Sequence, residues 1–560
     1  MVEMTGSKAL FEALKAEGAK HIFGIPGGSI IPIYDALYDE HEIRHILTRH
    51  EQGAAHAADG YARAIGKPGI CMTTSGPGAS NLITGVLNAY MDSSPVIALS
   101  GQVTSNVLGT DAFQEADMLS LMLPITKHNF IVKKAEELPK IVRLAFKVAI
   151  SGRPGPVHID IPKDVQVGKA DIKIPADVDY VKHLKLEPTP SEVRRAVEML
   201  VHARQPVIYA GGGVVWSGAS GELVQLAEML GAPVVTSLLG KGTIPEDHPL
   251  SLGMLGMHGR VVANLAVTEC DLLVGVGVRF SDRATGDLRH FAPKAKIIHI
   301  DVDQVEIGKN VRVDLPIVAD ARSALSSIIN GLHQHVQRGR TSEWIDRVKK
   351  LRADLAPSME YDDIPIKPQR ALKEIMKVAG DSAIITTEVG QCQMWAAHFY
   401  QVKKPRHFIS SGGLGTMGFG FPASIGAKIA RPECDVVNIA GDGSFLMNSQ
   451  EMATAVENNI PVVSCILNNR YLGMVKQWQD LFFQKRRSAV DLGKVPDFVK
   501  LAEAYGGWGD RASRPDEIAP KLREALNSGK PAVLDIPIDP DEHALPMIPA
   551  GGRLDEPILT

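Results

Sequence analysis

The sequence predicts an α/β protein built from three doubly wound, parallel-sheet domains. Short apolar stretches alternate with longer amphipathic ones through nearly the whole chain, the pattern of strands joined by helical crossovers. Most of the apolar stretches end in glycine turns or asparagine, the punctuation found where a parallel strand hands over to a helix. Two stretches read as linkers: residues 169–190, polar and proline-containing, and residues 336–365, charged and helical and then proline-containing. They divide the chain into units 1–168, 191–335 and 366–545, with a tail at 546–560. A chain of 560 residues gives each unit enough length for its own core.

Composition narrows the class. The net charge is −4 and no long basic run occurs, so neither nucleic acid nor an anionic membrane is indicated as a partner. The five cysteines (Cys71, Cys270, Cys392, Cys434 and Cys465) are scattered and form no C-x-x-C pair, as in a reducing compartment. No apolar run reaches the roughly 18–20 residues that span a bilayer. The N-terminus passes into an amphipathic helix at residues 7–17 without a signal or transit pattern, so a cytoplasmic prokaryotic enzyme is expected.

In the first unit, residues 43–48 read as a strand, and Glu51 opens a helix running to about Arg63. A first-turn glutamate is ordinarily dipole and capping chemistry. Two glycine turns share that strand edge, one holding Pro26, Gly27 and Gly28 and the other running from Thr74 to Asn81. Either is compatible with an ordinary strand-to-helix turn. The loop 109–115 carries one aromatic, Phe113, beside Gln114, and residues 154–163 read as a buried strand ending at Lys163.

The second unit has strands at 206–210, 232–236, 271–276 and 296–301. Gly211, Gly212 and Gly213 follow the first of these, a turn that either cradles a diphosphate or merely reverses the chain. Arg279 and Arg283 lie just past a strand, where a guanidinium can fork onto phosphate or carboxylate.

The third unit starts with a strand at 383–387 followed by Gln391. Gly413 to Gly418 spells G-x-G-x-x-G, but no acidic residue ends a following strand about 20 residues on, so it is discounted as a dinucleotide motif. The tail from Glu542 reads as a lid or a simple terminus. The first and third units echo one another faintly in their glycine turns and Pro-Val strands, as a duplicated domain would.

The most informative stretch is 436–469. An apolar strand enters Gly441-Asp442-Gly443-Ser444, a helical segment follows at about 448–459, and a second strand, 461–467, ends in Asn468-Asn469. Glycines let backbone N–H groups approach phosphate oxygens, and a helix start favours an anion. Asp442 and Asn469 are expected at the ends of neighbouring strands, where open α/β sheets bind ligands. Two protein oxygens plus phosphate oxygens and water suit Mg²⁺.

This G-D-G, 24-residue, N-N arrangement resembles the thiamin diphosphate signature. Together with Glu51, the Pro26-Gly28 turn, residues 49–58, 109–115 and 253–259, and the Leu472–Trp478 stretch, the chain resembles the acetohydroxyacid synthase (acetolactate synthase) family over residues 4–545. The resemblance implies three domains of the thiamin diphosphate enzyme type. The implied reaction decarboxylates pyruvate and ligates the two-carbon unit to pyruvate or 2-oxobutanoate.

The resemblance also implies roles. Glu51 is the carboxylate that hydrogen-bonds the cofactor's pyrimidine ring and drives its amino group to the imino form. Asp442, Asn469 and the Tyr471 carbonyl bind Mg²⁺. Pro26, Gly28, Asn81, Gln391, Gly441, Gly443, Ser444 and Met474 hold thiamin diphosphate, and Met417 props it in its bent form. Phe113, Gln114, Lys163, Arg283 and Trp478 serve the substrate, the first three from a neighbouring subunit. FAD, with a structural role, lies against Arg153, Gly211, Gly212, Gly213, Thr236, Leu255, Gly256, Met257, His258, Gly277, Arg279, Asp301 and Asp320. A homodimer or homotetramer and a small regulatory subunit are implied. Three positions depart from the family: Cys392 for histidine, Ser281 for aspartate and Ile25 for tyrosine. Glu51 argues against a glyoxylate carboligase, while a pyruvate oxidase would reduce its flavin. A nicotinamide dehydrogenase would rest on Gly413 to Gly418. Intact Glu51, Asp442 and Asn469 leave little room for a non-catalytic flavoprotein subunit.

Overall fold

The structure, a computed structural model, describes residues 2–174, 186–333, 335 and 343–559. Three six-stranded parallel sheets stand in chain order. The first contains β2 (His21–Ile25), β3 (Arg44–Leu47), β4 (Gly69–Thr73), β5 (Val96–Gln102), β6 (His128–Ile131) and β7 (Val157–Pro162). A separate pair, β1 (Val2–Thr5) and β8 (Lys169–Ile172), runs antiparallel. The second sheet contains β9 (Pro206–Ala210), β10 (Val234–Thr236), β11 (Ser251–Met254), β12 (Leu272–Val276), β13 (Lys296–Asp301) and β14 (Leu315–Val318). The third contains β15 (Ile384–Thr387), β16 (Phe408–Ile409), β17 (Val436–Gly441), β18 (Val463–Asn468), β19 (Trp508–Arg511) and β20 (Ala532–Pro537).

The strand orders settle the suspected echo. The first sheet runs β3-β2-β4-β5-β7-β6 and the third runs β16-β15-β17-β18-β20-β19. Counted from each domain's own first strand, the two orders are identical. The central sheet differs, running β11-β10-β9-β12-β13-β14. Its order reverses between β9 and β12, which opens a crevice at their C-terminal ends, the dinucleotide-binding topology.

Three stretches differ from the sequence reading. Residues 169–172, expected in a linker, form β8, because Ile172 packs with Ala9 and Ala135 in a small core. Part of the second linker, the helix Glu343–Asp354, is docked: Trp344 and Val348 stand four residues apart on one face and enter the central core. The tail is neither loose nor a simple terminus. Ile548 and Leu554 are buried in that same core, and the Ile548 N–H donates to the Met257 carbonyl at 2.7 Å. Composition hid the packing of all three, since each carries only a few apolar anchors among polar, proline or glycine residues.

Helix Glu51–Ile65 shows how local sequence fixes an element. His50 caps it, its Nδ1 accepting from the Gln52 N–H, and Gly66 ends it at φ 73°. This helix packs on helix Gly420–Ala430 of the third domain through small residues. A Cβ on Gly60 would lie 2.2 Å from the Ala423 carbonyl oxygen, and one on Gly426 would lie 1.9 Å from that of Ala57. Arg63, at the far end, forks onto Asp59 at 2.7 and 2.9 Å, reaches Asp92 at 2.9 Å and donates to the Ser410 carbonyl at 2.8 Å.

Gly426→Ala is therefore expected to cost about 1–3 kcal/mol by overpacking. Gly221→Ala, at a helical glycine with open space around it, is expected to be neutral or slightly stabilising. Thermal unfolding of both variants checks this; equal midpoints would remove the close helix contact as a constraint.

Candidate functional site

The two strands of the diagnostic stretch, β17 and β18, are parallel neighbours with Gly441 opposite Leu467. Asp442 and Asn469 therefore stand side by side just past two adjacent strand ends, both buried. Asn469 is locked in place. Its Oδ1 accepts from the Tyr471 N–H at 3.0 Å, and its Nδ2 donates to Gln391 Oε1 at 3.1 Å. Gln391 in turn donates to Gln477 at 2.8 Å and to the Glu542 carbonyl at 3.2 Å. A Cβ on Gly473 would sit 2.1 Å from Gln391 Oε1, so only glycine fits beside it.

Ser444 Oγ donates to Glu388 at 2.7 Å. Glu388 is fully buried and also takes the Gly418 and Phe421 N–H groups, each at 2.9 Å. One carboxylate thus ties the glycine turn at 441–444 to the loop that carries half-buried Met417. Sequence reading passed over Glu388; its signal was a lone acid directly after an apolar strand. Cys392 is buried with its sulfur 3.5 Å from where a Gly441 Cβ would stand, and burial pushes its thiol above the usual range. An apolar group thus stands behind the turn.

Burial pushes the Asp442 carboxyl up to about 7, backbone N–H groups oppose this, and Asp535 adds to it. A carboxylate so placed favours a bound cation. Among the described residues no three His, Cys, Asp or Glu side chains cluster as a metal site. The available donors are the Asp442 and Asn469 oxygens and the Tyr471 carbonyl. These are hard oxygens too few to enclose an ion without a diphosphate, which fits Mg²⁺ on a phosphate ligand.

Glu51 lies on the equivalent edge of the first sheet. Asn81 Nδ2 donates to Glu51 Oε2 at 3.0 Å. The Thr74–Asn81 turn approaches it, since a Cβ on Gly78 would lie 3.3 Å from Glu51 Oε1, and the Pro26–Gly28 turn meets that turn, since a Cβ on Gly27 would strike Thr74 at 2.6 Å. Gly76 adopts φ 58° against the Gln114 backbone, which brings the 109–115 loop to the same edge. Pro26 and Gly28 lie in the turn itself. Phe113 is 88% exposed and Lys163 begins a short helix with its side chain in solvent.

The central crevice is a cavity of about 1170 Å³. Gly212, Gly213, Gly277, Arg279, Leu255, Met257, His258, Asp301, Asp320 and Arg153 line it, and it extends to Gly390, Ser411 to Gly415, Arg283, Met474 and Trp478. Gly211, Thr236 and Gly256 are not among its lining residues. A Cβ on Gly213 would meet Gly277 Cα at 2.6 Å, so the turns after β9 and β12 cross in backbone contact. Thr236 Oγ1 and His258 Nδ1 are buried without a hydrogen-bond partner. Asp301 is pushed up to about 6 by burial. Arg153 crosses from the first domain to pair with Glu306 at 2.7 Å. This glycine crossing with orphaned polar atoms fits a dinucleotide such as FAD. None of Pro26, Gly28, Glu51, Asn81, Phe113, Gln114 or Lys163 lines this cavity. Asp442, Asn469 and Gln391 do not line it either, so Glu51 and Asp442 stand on the edges of two different sheets and outside this cavity.

Three family models match consecutive parts of the chain. They are the N-terminal TPP binding domain of thiamine pyrophosphate enzymes at residues 4–121, the central domain at 193–328 and the C-terminal TPP binding domain at 388–536. A "Probable acetolactate synthase large subunit" of Methanocaldococcus jannaschii is 58% identical over 98% of this chain and 94% of that protein. The chain belongs to the acetolactate synthase large-subunit family. Further members are the "Acetolactate synthase large subunit" of Haemophilus influenzae, 45% identical over 100% and 99% of the two chains, and the "Acetolactate synthase isozyme 3 large subunit" of Escherichia coli, 44% identical over 99% and 98%. Membership makes the chain a thiamin-diphosphate-dependent enzyme. No helix among the described residues is long and apolar enough to cross a membrane.

A divalent cation must displace the proton that burial favours on Asp442. With thiamin diphosphate present, Mg²⁺ affinity is expected to rise about tenfold per pH unit up to about pH 7 and to level off above it. Calorimetric titration at several pH values reads this, and Asp442→Asn should flatten the profile. A slope persisting well above pH 7 would contradict the assignment.

Proposed function

We propose that the chain is the catalytic subunit that decarboxylates pyruvate and joins the two-carbon fragment to a second 2-oxo acid. The products are 2-acetolactate from pyruvate and 2-aceto-2-hydroxybutanoate from 2-oxobutanoate, the first common step of branched-chain amino acid biosynthesis. The observation that carries this reading is Asp442 beside Asn469 above the Gly441–Ser444 turn, in a chain whose relatives are acetolactate synthases along its full length. Thiamin diphosphate, when bound, supplies a thiazolium that takes up the electron pair left by decarboxylation.

The chain's own residues hold and orient. Gln391, Gly441, Gly443 and Ser444 present amide and hydroxyl donors to the diphosphate, and Asp442, Asn469 and the Tyr471 carbonyl hold Mg²⁺ against it. Met417 and Met474 supply apolar support. Glu51, oriented through Oε2 by Asn81, holds a proton at the pyrimidine ring nitrogen. Arg283, exposed at the cavity mouth beside Met257, forks onto the incoming carboxylate, and Trp478 shapes the space for its alkyl group. FAD in the central cavity is structural, because the net reaction moves no electrons.

Glu51 and Asp442 occupy different edges, so a second copy of the chain supplies Pro26, Gly28, Glu51, Asn81, Phe113, Gln114 and Lys163 to each cofactor. A homodimer is the minimal active unit, whether or not dimers pair into tetramers. The relatives' printed "large subunit" supports a small regulatory partner. Five buried free cysteines support a reducing, cytoplasmic setting.

Product assays from pyruvate, with thiamin diphosphate, Mg²⁺ and FAD omitted in turn, test the reading. Acetolactate should require the first two, and the flavin should stay oxidised. Flavin reduction during turnover would instead favour a pyruvate oxidase. Arg283→Ala should lose about 2–3 kcal/mol in substrate binding, read as kcat/KM. Glu51→Gln should lower kcat about a hundredfold or more. Near-unchanged constants in either variant would remove that residue's role.

A further inference from the structure

Glu51 owes its place to a residue of another domain. It opens the helix that follows the short turn after Leu47, the last residue of β3, and that turn is not completed by its own domain. The Arg49 N–H donates to both carboxylate oxygens of Glu451, at 3.1 and 3.2 Å, and the His50 N–H donates to Oε1 at 3.0 Å. Thr454, one turn along helix Glu451–Glu457, places its hydroxyl 2.6 Å from Glu451 Oε2 and 3.3 Å from the Leu47 carbonyl. Gly53 leaves the room for this: a Cβ there would stand 2.4 Å from Glu451 Oε1.

The chemistry of the contact is one-sided. Glu451 is 1% exposed, and the groups facing it at hydrogen-bond distance are donors. An ionised carboxylate accepts from all three at once; a carboxamide keeps one oxygen for the two amides but turns its NH2 toward the second leg of the Arg49 N–H, 3.2 Å away, and must reverse the Thr454 bond. His50 is the N-cap of the helix that Glu51 opens, and Arg49 precedes it, so Glu451 caps that helix from outside its domain. The Arg49 guanidinium turns away to the Leu47 carbonyl, and the His50 ring is occupied with the Gln52 N–H. Their side chains therefore leave the clamp to backbone amides.

We infer that Glu451 is a positioning residue for the reaction, its carboxylate fixing the backbone from which Glu51 projects. The inference rests on the reading of Glu51 given above. Helix Glu451–Glu457 follows the Gly441–Ser444 turn in the same domain, so the clamp also ties a chain's own diphosphate half-site to its glutamate half-site.

Two readouts test it. The first is hydrogen–deuterium exchange of the unloaded protein, read at the Arg49 and His50 amides. Glu451→Gln should speed exchange there at least tenfold, with the Gly412 and Gly413 amides, which donate to Asp92, unchanged. The second is exchange of the C2 proton of bound thiamin diphosphate, read by quenched-flow NMR. It should slow at least tenfold in Glu451→Gln while the thiamin diphosphate Kd stays within threefold, and Glu451→Asp should recover part of the rate. Unchanged amide protection, or an unchanged C2 rate in a variant with normal cofactor binding, overturns the inference. Glu51→Gln, run in parallel, separates the two ideas. If it leaves the C2 rate unchanged, the role of Glu51 falls, and with it the inference. If it slows the rate and Glu451→Gln does not, the clamp alone falls. Should Glu451→Gln fail to fold, Thr454→Val decides on the same readouts: a smaller shift in the same direction supports the clamp, and none overturns it.

Discussion

The structure depends on the packing of helix Glu51–Ile65 against helix Gly420–Ala430. Two duplicated domains meet there at backbone contact, because Gly60 and Gly426 offer no side chain to hold the helices apart. The Arg63 guanidinium closes one end of this seam on two buried aspartates. Asp92 accepts from Arg63 and from the Gly412 N–H at 2.9 Å, so the same ion cluster holds the glycine loop that leads to Met417. Removing Arg63 would leave buried carboxylates uncompensated, a penalty far larger than a surface ion pair could impose.

The seam bears on the proposal that each cofactor is shared between two chains. Each duplicated sheet places its chemistry at the C-terminal ends of its strands, one edge carrying Glu51 and the other Asp442. Helix packing fixes the two edges relative to one another within a chain. A thiamin cofactor needs a diphosphate site and a carboxylate together, so symmetry between two chains is the simplest way to bring unlike edges into one site. The central domain lies outside this duplication. Its reversed strand order opens a separate crevice, and the tail docks beside it through Ile548.

Much of this was legible in the sequence. The G-D-G and N-N signals work because they report backbone freedom at two strand ends, and a fixed crossover length makes those ends neighbours. Glu51 was legible as the opening of a helix, and its family role came only from the resemblance. The duplication was legible only as an echo, since strand order leaves no mark in composition. Strand β8 and the docking of the tail were not legible as structure, and residues 336–365 were legible as helical but not as packed, because a few buried anchors such as Ile172, Trp344 and Ile548 do not make a periodic pattern. Glu388 and Glu451 were invisible for a different reason. Each acts through backbone N–H groups distant in sequence, and nothing in the local pattern names those partners.

The most direct test of the account is subunit complementation. Inactive Glu51→Gln and Asp442→Ala proteins are mixed, dissociated and allowed to reassociate, and acetolactate formation is measured. If the two half-sites meet across chains, each mixed dimer regains one intact site, and activity should return to about a quarter of the unaltered protein's. If Glu51 and Asp442 serve a cofactor within one chain, every site in the mixture carries a lesion. Activity that stays at the level of the separate variants would contradict the account.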